Sequence, residues 1–262
     1  VRKLQKTWWV WGAVFAILFV AFMQLAYPVW IAPLFNNYRK LEDPKVRDPI
    51  LNLARANGVP ATDVYWFDAS KQSKRVSANV SGFLGTERIS LNDNLLNRCT
   101  FPEVLSVMGH EIGHYAMNHV YKAILFFGIL ILVFFAYVRW ALDKSIKRWG
   151  QRWGVRGAGD VAVLPLVVLL STLFFFVLTP VTNSYTRAEE IEADLYGLNA
   201  ARQPDAHAHV ELMLGEYRKL NPGALEEVLF FDHPSGRNRI YLAMRWKAEH
   251  LDDCDFTPSG EK

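Results

Sequence analysis

The feature that most constrains this chain is where its charges are missing. Residues 7 to 38, from Thr7-Trp8-Trp9-Val10 to Asn36-Asn37-Tyr38, contain no Asp, Glu, Lys or Arg. A bilayer core is crossed by about 20 apolar helical residues, so this run predicts a membrane span. Trp8, Trp9 and Trp11 at one end, with Tyr27 and Trp30 toward the other, are placed like interfacial aromatic belts. Residues 161 to 186 form a second charge-free run, rich in Leu, Val and Phe. A third, Ala123 to Val138, is shorter and could be a buried helix of a water-soluble fold. Lys122 and Arg139 at its edges can snorkel, and Tyr137 and Trp140 suit an interface, which favours a span. Arg2, Lys3 and Lys6 precede the first run as in a signal peptide. That run is too long for one, and Pro28 and Pro33 stand where a cleavage site of small residues belongs. The chain starts with Val, so upstream sequence is expected.

Composition alone would fit a soluble enzyme, with 51% hydrophobic and 21% charged residues. The net charge of +3 is modest, and no basic footprint for nucleic acid is present. The one basic cluster, Arg139, Lys144, Lys147, Arg148, Arg152 and Arg156, falls between two expected spans. Cys99 and Cys254 make neither a disulfide framework nor a zinc finger.

Four segments follow: a span and entry segment over 1–38, a polar domain over 39–122, two spans with a basic Gly-containing loop over 123–182, and a polar helical part over 183–262. In the second, Pro49 to Ala56 reads as a short helix and Asp63 to Asp68 as a strand. Arg75 to Leu91 reads as a β-hairpin, with Gly82 and Gly85 able to turn. Thr100-Phe101-Pro102-Glu103 is a capping box, and the absence of Pro from Glu103 to Lys144 predicts one long helix running into the second span.

That helix carries His110-Glu111-Ile112-Gly113-His114. Residues four apart lie about 40° apart around a helix, so His110 and His114 can face one metal ion. Glu111 is close enough to act as general base on a metal-bound water. Gly113 costs helix stability, by about 1 kcal/mol relative to Ala, and so demands a packing reason. A catalytic zinc needs a third protein ligand. The candidates lie in Glu189-Glu190-Ile191-Glu192-Ala193-Asp194, where Glu190 and Asp194 share a face. One of these two could bind the metal while the other orients a histidine ring. Two intervening spans return this segment to the side of the histidines only if Ala123–Val138 crosses.

These residues resemble the CAAX prenyl protease 1 family of integral-membrane zinc metalloproteases. The likeness is carried by His110–His114, by Asn183-x-x-Thr186-Arg187-x-x-Glu190-x-x-Ala193-Asp194 and by Asp232-His233-Pro234-x-x-x-x-Arg239-Ile240. Tyr27-Pro28 with Ile31-Ala32-Pro33-Leu34-Phe35-Asn36, and Ser77-Ala78-Asn79 before Gly82-Phe83, add to it. Thr186 replaces the usual Ser. The resemblance implies a mainly α membrane protein: transmembrane helices plus a zincin-like metalloprotease domain with a small β-sheet. It implies one zinc ion on His110, His114 and Glu190, with Asp194 as supporting acid. It also implies Asn79 on an edge strand that holds substrate, and His233 and Arg239 as active-site His and Arg that stabilise an oxyanion or bind substrate. His119, His207, His209 and His250 read as surface or helix residues.

The expected reaction is peptide-bond hydrolysis with Glu111 as general base, on a peptide or protein substrate that is prenylated or membrane-bound. A heat-shock-type membrane quality-control protease shares the chemistry. A non-catalytic membrane protein with structural zinc would need a fourth ligand such as His119 or His233. The basic cluster at Arg139–Arg156 points to an outward-facing site by the positive-inside rule. The resemblance implies a cytoplasmic one and is given more weight.

Overall fold

The computed structural model describes residues 6–82 and 87–251. Arg2, Lys3, Phe83, Gly85 and Cys254 lie outside the described residues. The chain divides into two compact units, Val1–Leu25 with Val120–Thr182 and Ala26–His119 with Asn183–Lys262. The elements are mostly helical.

The first unit holds nearly all of α1 (Trp8–Ala26), α5 from its second residue (His119–Trp153), and the first half of α6 (Leu164–Ala201). All three helices are long and apolar enough to cross a membrane. Phe15, Leu125, Phe176 and Val177 turn outward, as side chains meant for lipid must. α1 meets α5 where Gly12 lies against the Phe135 ring, with Trp8 edge-on to the same ring at 6.4 Å. The helix α5 runs past the expected loop, so the basic cluster is helical as far as Trp153 and the connecting turn begins only at Gly154. Gly154 adopts φ +66°, Val155 N donates to Gly150 O and Gly154 N donates to Gln151 O. That pair of bonds is a Schellman stop, which favours glycine.

In the second unit, β1 (Tyr38–Lys40), β2 (Val64–Phe67), β3 (Ala78–Ser81) and β4 (Arg88–Asn92) form one sheet in the order β1-β2-β4-β3. β2 and β4 are parallel, and the other pairs are antiparallel. β3 and β4 make the expected hairpin, with Asn79 opposite Ser90, and β3 is an edge. Ser77 O accepts from Asn92 N. By the alternation of an antiparallel ladder, Ser77 and Asn79 spend their backbone on β4, while Ala78 and Val80 turn theirs to the open side. Asn92 fixes the approach to this edge. Its Oδ1 accepts from Ser77 N at 3.1 Å and from Leu95 N at 2.9 Å, and its Nδ2 donates to Arg75 O at 2.6 Å.

Helix α2 (Pro44–Ala56) starts earlier than expected, because Asp43 caps it by accepting from Lys45 N and Pro44 suits the first turn; Pro49 sits inside. α3 (Asp93–Arg98) leads to α4 (Phe101–Ala116), which carries the histidine motif behind the expected capping box. Val104, Met108 and Ile112, four apart, pack with Ile50, Val64, Ile89 and Leu91 in the core. Each such large side chain contributes about 1.5–3 kcal/mol when fully buried.

The single long helix expected from Glu103 to Lys144 is not continuous. α4 ends at Ala116 and α5 begins at His119. Asn118 between them has φ 57°, a left-handed conformation that Asn tolerates better than most residues. α7 (Pro204–Leu214), α8 (Ala224–Phe230) and α9 (Gly236–Glu249) complete the unit.

Candidate metal centre

The site forms where α4 crosses α6. Gly109 and Gly113 on α4 face Ala193, Gly197 and Ala201 on α6 so closely that a Cβ on Gly113 would lie 3.0 Å from Ala193 O. This backbone-to-backbone approach is the packing reason that Gly113 demanded. It sets Glu190 opposite the histidines, with His110 Nε2 3.5 Å from Glu190 Oε2 and His114 Nε2 3.6 Å from Glu190 Oε1. The two Nε2 atoms are 3.0 Å apart. Tetrahedral zinc bonds of about 2.0–2.2 Å would hold ligand atoms about 3.3–3.6 Å apart; both histidine–Glu190 separations match, and the two ring nitrogens lie about 0.3 Å closer than that.

The donor set also has the right chemistry. Asp194 Oδ1 lies 2.8 Å from His110 Nδ1 and, as a carboxylate, accepts the Nδ1 proton. In neutral His110 the Nε2 lone pair then faces that of His114, with the Glu190 carboxylate alongside. Three electron-rich atoms in contact call for a cation. Burial works against a charged His110, but Asp194 outweighs it and raises the pKa, while burial pushes His114 down to about 3.

Asp194 is fully buried, and Arg239 holds it ionised. Arg239 Nε donates to Asp194 Oδ2 at 2.7 Å, and Arg239 Nη1 is 2.8 Å from Glu211 Oε1. Arg239, expected to stabilise an oxyanion or bind substrate, lines the cleft and has its guanidinium engaged by these two carboxylates. Ser235 caps α9 by accepting from Asn238 N, which places Arg239 one turn inside that helix.

Asn183 and Arg187 lie on the same stripe of α6 as Glu190 and Asp194. They hold the end of α8: Asn183 Nδ2 donates to Leu229 O at 3.0 Å and Arg187 Nη1 to Glu227 O at 2.9 Å. The chain after α8 brings in His233. Its Nδ1 lies 2.9 Å from Asp232 Oδ1 and its Nε2 3.5 Å from Glu190 Oε1.

A cleft of about 360 Å³ is lined by Ser77 and Ala78 on one side and by His110, Glu111, His114, Glu190 and His233 on the other. Burial first, with the charge of Glu190 added and His110 opposing, pushes the Glu111 carboxyl up to about 7. The structure thus brings Glu111, His233, Arg239, His110, His114 and Glu190 to one cleft, with Asp194 buried behind His110. Asn79 sits on the edge strand with its side chain away from the cleft lining; its Oδ1 is buried and has no hydrogen-bond partner among the described residues. Sequence reasoning missed Glu211, set Glu192 aside in favour of Glu190 and Asp194, and placed His119 outside the site. Among the described residues, His119 Nδ1 lies 2.8 Å from His114 Nδ1, and His119 Nε2 lies 3.1 Å from Glu192 Oε2.

Comparison with known proteins agrees with this geometry. Residues 40–247 match the family model described as peptidase family M48, and residues 1–37 match one described as CAAX prenyl protease N-terminal, five membrane helices. The chain is similar to an uncharacterized metalloprotease, YhfN, of Bacillus subtilis. The two are 30% identical over 96% of this chain and 60% of that protein. It is 28% identical to a CAAX prenyl protease 1 homolog of Oryza sativa over 86% of this chain and 53% of that protein. It therefore spans little more than half the length of these relatives. The crystal structure of S. mikatae Ste24p shares the fold, with a TM-score of 0.78 at 22% identity over 92% of this chain and 60% of that one. With three helices fit to cross a bilayer, the protein is an integral membrane protein. The match over most of its length, on the elements that build the His110–His114–Glu190 cluster, means that the chain belongs to peptidase family M48.

Proposed function

We propose that the protein is a membrane-embedded zinc endopeptidase of the CAAX prenyl protease type, with one zinc ion held by His110, His114 and Glu190. The observation that carries the reading is the cluster of three ligand atoms within 4.8 Å of one another, beside a general base and an open edge strand. When bound, zinc supplies Lewis acidity for the scissile carbonyl and for a water molecule.

The chain's own residues do the rest. Asp194 and Arg239 keep the His110 Nδ1 proton in place and so leave its Nε2 lone pair for the metal. Ala78 and Val80 offer N–H and C=O groups to which an extended peptide adds as a further strand. Asn79 keeps this edge in register between them. Glu111, poised near neutrality by burial, takes the proton of the attacking water and returns it to the leaving amine; such proton transfer contributes about 10²–10⁴-fold. His233, oriented by Asp232, has its Nε2 3.5 Å from Glu190 Oε1, where an Nε2–H would donate to the developing oxyanion.

The relatives named CAAX prenyl proteases support a prenylated C-terminal peptide as substrate, and the family resemblance implies a cytoplasm-facing site. A structural-zinc reading would need a fourth ligand, and His119 has both ring nitrogens engaged elsewhere. The test uses the purified protein in detergent with a prenylated peptide, its unprenylated form and a misfolded membrane protein. Preference for the first supports the reading. Cleavage of only the third favours a quality-control role, and a Glu111→Gln variant that cleaves normally refutes the mechanism. Labelling of Cys254 from each membrane face reports the orientation.

A further inference from the structure

The two ring ligands are supported unequally. His110 leans on a carboxylate, Asp194. His114 leans on another imidazole, and that imidazole leans on Glu192. The distances are 2.8 Å from His114 Nδ1 to His119 Nδ1 and 3.1 Å from His119 Nε2 to Glu192 Oε2. His119 is only 3% exposed, whereas the Glu192 side chain is 46% exposed.

Proton accounting along this chain gives a single arrangement with neutral rings. A carboxylate only accepts, so His119 must carry its proton on Nε2. Its Nδ1 is then a lone pair, and the His114 Nδ1 facing it must be the donor. Neutral His114 is left with its lone pair on Nε2, toward His110 and Glu190. The opposite tautomer of His119 would put two N–H groups against each other or turn a proton of His114 into the metal site. In a continuous α-helix, residue 119 would lie about 140° around from residue 114. The left-handed Asn118 redirects the chain and brings the ring back.

From this geometry we infer that His119 is a positioning residue which, with Glu192 behind it, fixes the tautomer and ring orientation of His114 for metal binding. The inference rests on the proposed zinc site.

The experiment measures zinc affinity by competition with a chromophoric chelator, and the visible spectrum of the cobalt-substituted protein. The proteins are wild type, His119→Phe, His119→Asn and Glu192→Leu. His119→Phe keeps an aromatic ring and loses the acceptor. His119→Asn loses the ring and returns a carbonyl acceptor near the position of Nδ1. We expect His119→Phe to weaken zinc about 10–100-fold, the usual effect of losing a partner behind a ligand, and to shift the cobalt bands. His119→Asn should recover most of that affinity, and Glu192→Leu should fall between. Thermal unfolding of the zinc-free proteins reports whether each variant is folded. Equal losses in the Phe and Asn variants, or a better-binding Phe variant, would mean that His119 only fills space and would overturn the inference. Unchanged affinity in both also overturns it, with the proposed function intact. Wild-type protein that binds no zinc would overturn the site itself, and the inference with it.

Discussion

The crossing of α4 and α6 permits a sharp test at Gly197. A Cβ built there would lie 2.7 Å from His110 N and 2.9 Å from Gly109 C, whereas ordinary contact begins at 3.4 Å. Both obstacles are backbone, so no side chain can swing aside. Gly197→Ala must therefore part the helices by about 0.7 Å at this point, against a tolerance of about 0.2 Å in metal–ligand distance. Overpacking of this kind costs about 1–3 kcal/mol. If that strain is relieved by opening the site, zinc affinity falls by a factor of about 5–150. Chelator competition on the purified protein measures this directly. Gly128→Ala is the control: its Cβ would meet only Ile17 Cγ2, at 3.7 Å. An Ala there should be neutral or gain up to about 1 kcal/mol of helix propensity. A Gly197→Ala protein that binds zinc within threefold of wild type would refute the reasoning that close backbone approach sets the Glu190 ligand.

Glu111→Gln should bind zinc normally and lose about 10²–10⁴-fold in turnover, checked by metal analysis beside a peptide-cleavage assay. Asp194→Asn should lower zinc affinity about 10–100-fold. Arg239→Met leaves the Asp194 and Glu211 carboxylates buried without their partner and should destabilise the fold by about 3–5 kcal/mol, seen in denaturant unfolding. Asn118→Gly should be tolerated, whereas Asn118→Val should weaken zinc binding, because a β-branched residue resists positive φ. Chelation should abolish cleavage and lower Tm, and added zinc should restore both.

What the sequence made legible follows from how information is written along a helix. His110 and His114 are visible because four-residue spacing is also a spatial rule. Glu190 and Asp194 obey the same rule, and the stripe with Asn183 and Arg187 makes their helix readable as one face. The capping box at Thr100 and Glu103 is local as well. His119 and Glu192 were not legible. Their contact joins residues far apart in sequence, and it depends on a break carried by Asn118 alone, with no Pro or Gly to announce it. Arg239 was found but given a different partner, since nothing in the order of residues tells that Asp194 and Glu211 converge on its guanidinium. The parallel pairing of β2 with β4 was equally hidden, because register between strands from separate segments has no local signature.

The open edge of β3 has a consequence for what could enter the cleft. A grip made from main-chain groups is indifferent to which side chains pass, but it is strict about shape. A folded helix cannot be taken, and neither can a strand already paired within its own sheet. A tertiary amide is refused wherever Ala78 or Val80 needs a donor. Choice among proteins would then fall to whatever loosens a segment and brings it near the bilayer. On this reading, the enzyme surveys the conformation of its substrates before it reads their sequence.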